Sequence, residues 1–129
     1  MPREKGGLTR AEWSLLECLW EASPRTGREA VEYMAAHTGW NRSTTLTMLR
    51  RMTEKGQISC TEEDGLRVYR PLVAREEAVR EETGHFLDRV YHGSLSMLLS
   101  TFTEDNELTK EEIDRLYAIL RQAEEEAGK

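Results

Sequence analysis

The stretch NRSTTLTMLRRMTEKGQISCTEEDGLRVYR, residues 41–70, changes its hydrophobic period once. Its first half has apolar side chains at helical spacing, which predicts a helix over residues 42–55 with Asn41 as the N-cap and Gly56 as the stop. Its second half alternates polar and apolar residues on both sides of Asp64-Gly65, which predicts a β-hairpin. A helix is therefore expected to lead directly into a two-stranded ribbon.

Two further helices are predicted before this stretch. Each begins with a capping box, in which a Thr caps the helix and a Glu three residues later bonds back to the Thr backbone. Three helices followed by a hairpin is the order of a winged helix-turn-helix, which we expect over residues 1–73. The capping boxes are Thr9–Glu12, Thr26–Glu29 and, in the C-terminal half, Thr109–Glu112, and the first two helices cover about 10–20 and 27–37.

Residues 74–129 are predicted to form a helical dimerisation domain, so the fold class is mainly α with a small β-hairpin. A long helix is expected over residues 75–102, with Gly84 and Gly93 as weak points, and a last helix over 110–126. Two helices cannot bury such an apolar stripe between themselves, so a two-fold partner is expected. The expected interface side chains are Phe86, Val90, Tyr91, Leu95, Leu98, Phe102, Ile113, Leu116 and Leu120.

The net charge of −6 is unevenly distributed along the chain. Residues 1–72 carry 11 Lys and Arg against 10 Asp and Glu, whereas residues 73–129 carry 7 against 14, which gives net charges of +1 and −7. Affinity for DNA depends on local phosphate contacts rather than on the charge of the whole chain. The acidic composition therefore does not exclude DNA binding by the N-terminal half.

The third helix carries most of the candidate DNA-contacting side chains. An Arg and short hydroxyl side chains at its N-terminal end would reach base edges in the major groove, and basic residues farther along are suited to phosphates. Arg67, after the hairpin turn, would reach a minor groove or a phosphate. Leu46 lies off the apolar stripe and either packs beside the second helix or contacts a thymine methyl. The candidates are Arg42, Ser43, Thr44, Leu46, Thr47, Arg51, Lys55 and Arg67.

Other classes of function have little support in the sequence. It contains no catalytic triad motif, glycine-rich phosphate loop or HExxH motif, so we expect no enzyme and no cofactor. His85 and His92 lack a Cys or carboxylate in ligand register, and no metal site is expected. There is no apolar run long enough to span a membrane and no signal peptide at the N-terminus. With Cys18 and Cys60 as buried free thiols, we expect a cytoplasmic protein.

Several short matches, in one order and at one spacing, carry a resemblance to a known family. They are Ala11-Glu12 and Leu19-Trp20 in the first helix, Trp40, Ser43-Thr44, Thr47-Met48-Leu49, Arg51 and Lys55-Gly56 through the third, Val68-Tyr69-Arg70-Pro71 after the hairpin turn, and the segments 86–95 and 111–120. In these residues the chain resembles the BlaI/MecI penicillinase-repressor family, from about Leu8 to Leu120.

This resemblance implies a homodimer that represses antibiotic-resistance genes by binding an inverted-repeat operator. It also implies release by proteolysis, in a pathway that begins with a membrane-bound metallopeptidase sensor of β-lactams. The best-known members of the family are cut between Asn and Phe in the dimerisation region, and the corresponding pair here is Thr101-Phe102, which keeps the Phe and lacks the Asn. The C-terminal Cys-x-Cys motifs of the related copper-responsive CopY repressors are missing, so a copper mechanism is not expected.

Two alternatives keep the winged helix and change its use. One is a regulator that a small ligand or a metal releases from DNA without cleavage. The other is a protein-interaction module with no DNA role, which would not explain the cluster of basic side chains in residues 42–55.

Overall fold

The computed structural model describes residues 7–128, which form six helices and one three-stranded antiparallel sheet. The predicted class, mainly α with a small β-hairpin, is confirmed. The N-terminal residues 1–6, where no signal peptide is expected, and residue 129 lie outside the described range. The elements are α1 (Arg10–Glu21), β1 (Arg25–Thr26), α2 (Gly27–Thr38), α3 (Arg42–Glu54), β2 (Ile58–Glu63), β3 (Leu66–Pro71), α4 (Arg75–Tyr91), α5 (Leu95–Asp105) and α6 (Lys110–Ala127).

The first two helices begin at the predicted capping boxes. The Thr9 hydroxyl accepts a hydrogen bond from the Glu12 N–H at 3.1 Å, and the Glu12 carboxylate accepts one from the Thr9 N–H at 2.9 Å. Thr26 and Glu29 make the same pair of bonds at 3.1 and 2.8 Å. These bonds satisfy backbone donors that a helix start leaves without partners, which is why both helices begin where the sequence predicts.

The core of the N-terminal part lies between α1, α2, α3 and the hairpin. The apolar residues of the three helices recur every three or four positions, so each helix turns one face inward. This packing fixes α3 on its buried side and leaves its opposite side on the surface. The largest fully buried side chains are Leu15, Leu16, Leu19, Met34, Leu49, Met52 and Ile58.

The sheet contains the predicted hairpin and one strand that was not predicted. Asp64 and Gly65 form the turn between β2 and β3, both with the positive φ (52° and 78°) that a type I′ turn requires. The additional strand is β1, in which Arg25 pairs with Tyr69 on β3. A strand of two residues is too short to show an alternating pattern, so its formation depends on a partner far away in sequence.

The long helix predicted over residues 75–102 is divided into two helices, and this prediction was wrong. His92 and Gly93 have φ values of 52° and 85°, and a right-handed helix cannot continue through left-handed backbone. Ser94 then caps α5, which extends to Asp105, three residues beyond the predicted end of the long helix. The C-terminal region therefore has three helices instead of the expected two.

The start of α6 forms only half of the third predicted capping box. Thr109 accepts a hydrogen bond from the Glu112 N–H at 3.0 Å. The Glu112 carboxylate, however, binds the Arg115 guanidinium at 3.2 Å instead of returning to the Thr109 backbone. A cation three residues along the helix competes for the same carboxylate, which the capping pattern alone does not reveal.

By their contacts the residues group into two compact units, 1–86 and 87–129. The start of α4 and the residue pair before it contact α1: the Trp20 indole N–H donates to the Val73 carbonyl at 2.8 Å, and Arg75 pairs with Glu17 at 3.4 Å. The domain boundary between residues 73 and 74 stays a prediction. Within residues 7–128, no helix is long and apolar enough to cross a membrane.

Candidate nucleic-acid interface

The two sides of α3 differ sharply in burial. Thr45, Leu49 and Met52 are at most 1% exposed and face the core. Asn41 caps the helix, because its side chain accepts a hydrogen bond from the Thr44 N–H at 2.8 Å. The buried side of α3 thus packs on the core, its N-terminal end is capped by Asn41, and its outer side faces solvent.

The predicted DNA-contacting residues are placed mainly on this outer side and its edges. Arg42, Ser43 and Thr44 are exposed at the N-terminal end of α3, as expected, and Thr47 is half-buried. Arg51, Lys55 and Arg67 are also exposed. Their exposure allows contact with a nucleic acid, and the contacts themselves stay predictions.

A groove of about 540 Å³ runs between α3 and the hairpin. Leu46 lies in its wall, 36% exposed, and a Cβ added at Gly27 would meet the Leu46 side chain at 3.8 Å. Leu46 therefore packs beside the first residue of α2 and still has surface left for a base, so both interpretations of this residue are structurally possible. The lining residues are Leu46, Thr47, Arg50, Thr53, Glu54, Cys60, Arg67 and Tyr69.

Tyr69 and Cys60 line this groove, whereas Cys18 lies in the core. Tyr69 is 9% exposed and pairs across the sheet with Cys60. Burial raises the pKa of the Tyr69 hydroxyl, and a hydrogen bond with Cys60 adds to the rise. Cys18 is buried as expected, whereas Cys60 is only half-buried, because one side of β2 faces the groove.

Three arginines on this surface have no carboxylate partner within the described range 7–128. They are Arg42, Arg51 and Arg67. Neighbouring cations are engaged: Arg50 pairs with Glu54 at 3.6 Å, and Arg70 pairs with Glu63 at 2.6 Å. An exposed guanidinium without a partner is free to bind a phosphate or a guanine edge. These three free guanidinium groups lie on α3 and the adjoining strand β3.

The tip of the hairpin is acidic. Glu62, Glu63 and Asp64 stand together there, and the Arg70 guanidinium neutralises only one of them. The hydrogen bond from Arg70 holds the pKa of the Glu63 carboxyl below its usual value, so this residue stays charged. Because the remaining carboxylates repel phosphate, contact is favoured at Arg67, along the strand, rather than at the tip.

Lys55 is engaged away from the outer side of α3, although the sequence predicts a phosphate contact. Its ammonium forms a short ion pair with the carboxylate of Glu12 on α1, which is only 5% exposed. The two residues are 43 positions apart, so sequence spacing gives no sign of this pair.

Arg50 is a further candidate that the predicted set omits. It lies on the outer face with Ser43 and Thr47, at the helical spacing i, i+4, i+7, and it lines the groove. The helical spacing from Ser43 and Thr47 is the sequence signal that identifies Arg50. Its pairing with Glu54 is an exposed one that a phosphate can replace.

The C-terminal helices expose an unusual amount of apolar surface. No residue of α5 or of α6 is fully buried. Of the predicted interface residues, Tyr91, Leu98 and Leu116 are half-buried and the remainder are exposed, Leu95 by 52% and Leu120 by 54%. Exposed apolar side chains in such number indicate an interaction site. Further exposed apolar residues that the predicted set omits are Met97, Tyr117 and Ile119.

The predicted cleavage pair lies inside a helix. Thr101 and Phe102 are in α5, and both side chains are exposed. For the alternative of a metal-responsive regulator, residues 7–128 bring together no group of three His, Cys, Asp or Glu side chains that could hold a metal ion.

Comparison with known proteins agrees with this picture. The family model "Penicillinase repressor" matches residues 8–122. The chain is similar to the penicillinase repressor of Bacillus licheniformis, with 29% identity over 115 residues that cover 89% of this chain and 90% of the relative. It is also similar to the methicillin resistance regulatory protein MecI of Staphylococcus aureus (strain N315), with 25% identity over 88% of this chain and 92% of the relative.

Two solved structures share the fold of the N-terminal part. One is the solution structure of the DNA-binding domain of the repressor BlaI. The other is the monomeric form of Bacillus licheniformis BlaI in complex with the blaP half-operator. Each has a TM-score of 0.51 and 22% identity, and covers 59% of this chain and 93% of the other. The winged helix predicted from the sequence is confirmed by this likeness.

Proposed function

Because the chain belongs to the penicillinase repressor family, as the match over residues 8–122 shows, we propose that it is a dimeric transcriptional repressor. Its relatives indicate a DNA-binding repressor of the BlaI/MecI type. In our proposal the dimer covers an inverted repeat at a promoter and blocks RNA polymerase. One recognition helix α3 then enters the major groove of each half-site.

The observation that carries this proposal is the set of exposed, unpaired arginines on the winged helix. Arg42, Arg51 and Arg67 lie on α3 or β3, are exposed, and have no acidic partner inside the described residues. Unpaired cations clustered on one surface are what binding to a phosphate backbone requires.

Each side chain has a distinct proposed role. Arg42, Ser43 and Thr44 lie at the N-terminal end of α3, and with Thr47 they read or clasp the major groove. The remaining exposed surface of Leu46 contacts a thymine methyl. The guanidinium groups of Arg51 and Arg67 bind phosphates and set the register of the helix on the duplex.

Dimerisation is assigned to the apolar surface of the C-terminal helices. A monomer leaves residues such as Leu95 and Leu120 more than half exposed, and a second copy would cover them. Substituting Leu120 with Glu should raise the monomer fraction in analytical ultracentrifugation. The matched control is Leu72→Glu, which places the same charge on a Leu that is 61% exposed outside this surface. Equal effects of the two substitutions would refute the assignment.

Release by proteolysis at Thr101-Phe102 is a further part of the proposal. Proteases bind extended backbone, so this bond inside α5 becomes accessible only when the helix opens locally. Cleavage there would separate part of the dimer surface from the winged helix. Paired binding to two half-sites would then weaken, because the second half-site is no longer tethered to the first. A membrane-bound sensor metallopeptidase is the expected start of that pathway.

The alternative function is a repressor that a small ligand releases intact. The groove beside α3, about 540 Å³, is of the size that small molecules occupy, and a ligand there would cover Thr47 and Arg67. A denaturing gel of the protein after induction distinguishes release by proteolysis from release by a ligand. Proteolysis gives two fragments, whereas a ligand leaves one intact chain.

The first experiment is a gel-shift titration against the promoter fragment upstream of the protein's own gene. It is performed at two salt concentrations, with a scrambled fragment of the same length as the matched control, and light scattering gives the oligomeric state. We expect a dimer that prefers the promoter fragment and binds less tightly at the higher salt concentration. Equal affinity for both fragments would refute the repressor function.

A further inference from the structure

The carboxylate of Glu12 is a junction between α1, the end of α3 and the hairpin. It is 5% exposed and accepts hydrogen bonds from the Thr9 N–H and the Lys55 ammonium, and the buried Gln57 side chain is a further donor that helps to lower its pKa. Thr9 belongs to the capping box of α1, whereas the other two donors come from the segment that joins α3 to β2. One buried group therefore connects three elements of the winged helix.

Both donors from that segment hold positions on which the hairpin depends. Lys55 is the C-cap of α3, and its N–H donates to the Arg51 carbonyl at 2.9 Å. Gln57 is 2% exposed, and its N–H donates to the Met52 carbonyl at 2.9 Å. The Gln57 carbonyl in turn accepts a hydrogen bond from the Leu72 N–H at 2.9 Å, directly after β3. The carboxylate is thus linked to the end of α3, to the residue before β2 and, through Gln57, to the residue after β3.

The electrostatics favour a charged pair. Burial raises the pKa of the Glu12 carboxyl, but the hydrogen bonds from Lys55, Thr9 and Gln57 outweigh burial and hold that pKa below its usual value. A buried carboxylate that loses its partner is strongly unfavourable. The Lys55 side chain is 51% exposed, yet its ammonium is directed inward to Glu12. Contact with a phosphate would require it to leave a buried charge uncompensated.

We propose that Lys55 is a positioning residue. Its ion pair with Glu12 fixes the C-terminal end of α3 relative to the wing, which is the hairpin of β2 and β3, and Lys55 does not bind a phosphate. The consequence for DNA rests on the proposed operator binding. The recognition helix and the wing must contact the duplex together, so a change in their relative position weakens binding without removing a phosphate contact.

The test compares Lys55→Met, Glu12→Gln and the double variant with the wild-type protein. Operator affinity is measured between about 50 and 200 mM salt, where each phosphate contact contributes a slope of about −0.9 to the dependence of log K on log salt concentration. The titrations use a temperature at which circular dichroism shows every variant folded. Hydrogen exchange at the Gln57 and Leu72 N–H groups reports on the hairpin independently of DNA.

We expect each single variant to bind the operator about tenfold more weakly, or about 1.4 kcal/mol, with the salt slope unchanged. The double variant should bind no worse than Lys55→Met, because both substitutions break the same ion pair. Glu12→Gln also removes the buried carboxylate charge that Lys55→Met leaves uncompensated. Exchange at Gln57 and Leu72 should become faster in all three variants.

Two results would overturn the proposal. If Lys55→Met reduces the salt slope while Glu12→Gln binds like the wild type, Lys55 is a phosphate contact. If the variants are less stable but bind the operator normally once folded, the pair is only a structural element. A wild-type protein without selective binding would refute the proposed function, and the exchange data would then still decide whether the pair fixes the hairpin.

Discussion

The substitution Arg51→Ala offers the most direct quantitative test of the DNA-binding surface. Arg51 is exposed on α3, and no carboxylate of residues 7–128 pairs with it. Its removal should therefore cost no internal ion pair and leave the free energy of unfolding within about 0.5 kcal/mol of the wild type. The effect should fall on binding to the operator and on the salt dependence of that binding.

The expected size follows from counterion release. Each phosphate contact contributes about −0.9 to the slope of log K against log salt concentration, and a dimer carries two copies of Arg51, so the slope should become shallower by about 1.8. Between about 50 and 200 mM salt, a fourfold change, this difference amounts to about 12-fold in affinity. The variant should thus lose about 12-fold less affinity than the wild type across that range.

The assay is fluorescence anisotropy with a labelled operator at four or more salt concentrations, fitted for the slope. Arg121→Ala is the matched control, because it removes an exposed arginine from α6, outside the winged helix. The control should keep the wild-type slope. A slope for Arg51→Ala equal to that of the control would refute the assignment of Arg51 to phosphate.

Three further predictions concern the fold. Leu49→Ala, on the buried side of α3, should lower the free energy of unfolding in urea by about 2–5 kcal/mol, whereas Thr44→Ala on the exposed side should change it by less than about 0.5 kcal/mol; similar values would contradict the orientation of α3. Burial raises the pKa of the Cys18 thiol to about 11, so a thiol reagent at neutral pH should label Cys60 alone in the native protein, and mass spectrometry finding native Cys18 labelled would contradict this. The pKa of Glu12 is below its ordinary value of 4.5 in the folded state, so its charge stabilises the fold above that pH and the benefit is lost as the pH falls through the folded value; the stability difference between wild type and Glu12→Gln in urea should shrink on acidification, and a constant difference would disprove it.

The features predicted correctly from sequence are those that depend on neighbours in the chain. The capping boxes at Thr9 and Thr26 use donors three residues away, and the turn at Asp64-Gly65 uses its own backbone preference. The inward face of α3 follows from its apolar spacing. Such local patterns determine the first three helices and the hairpin, and with them the exposure of Arg42.

The features that were missed depend on residues distant in sequence or on a single backbone position. The strand β1 exists because Arg25 finds Tyr69 as a partner, and Lys55 turns inward because Glu12 is buried beside it. Neither partner can be identified from spacing along the chain. The break after α4 depends on positive φ at His92 and Gly93, and a Gly alone weakens a helix without requiring it to end.

The cations of the winged helix fall into two groups, those paired with a glutamate and those without a partner. Exposed ion pairs contribute little to stability, typically about 0–1 kcal/mol each. The pairs of Arg50 with Glu54 and of Arg70 with Glu63 therefore add little to the free energy of unfolding. Their stronger effect is on the surface potential, since each one cancels a positive charge that would otherwise attract DNA of any sequence. Arg42, Arg51 and Arg67 are left uncancelled on α3 and β3, so this part of the winged helix keeps positive charge that attracts a duplex. An acidic chain is in this respect better suited to a selective DNA-binding protein than a uniformly basic one, because nonspecific affinity grows with every free cation, whereas recognition needs only those that lie against the correct phosphates.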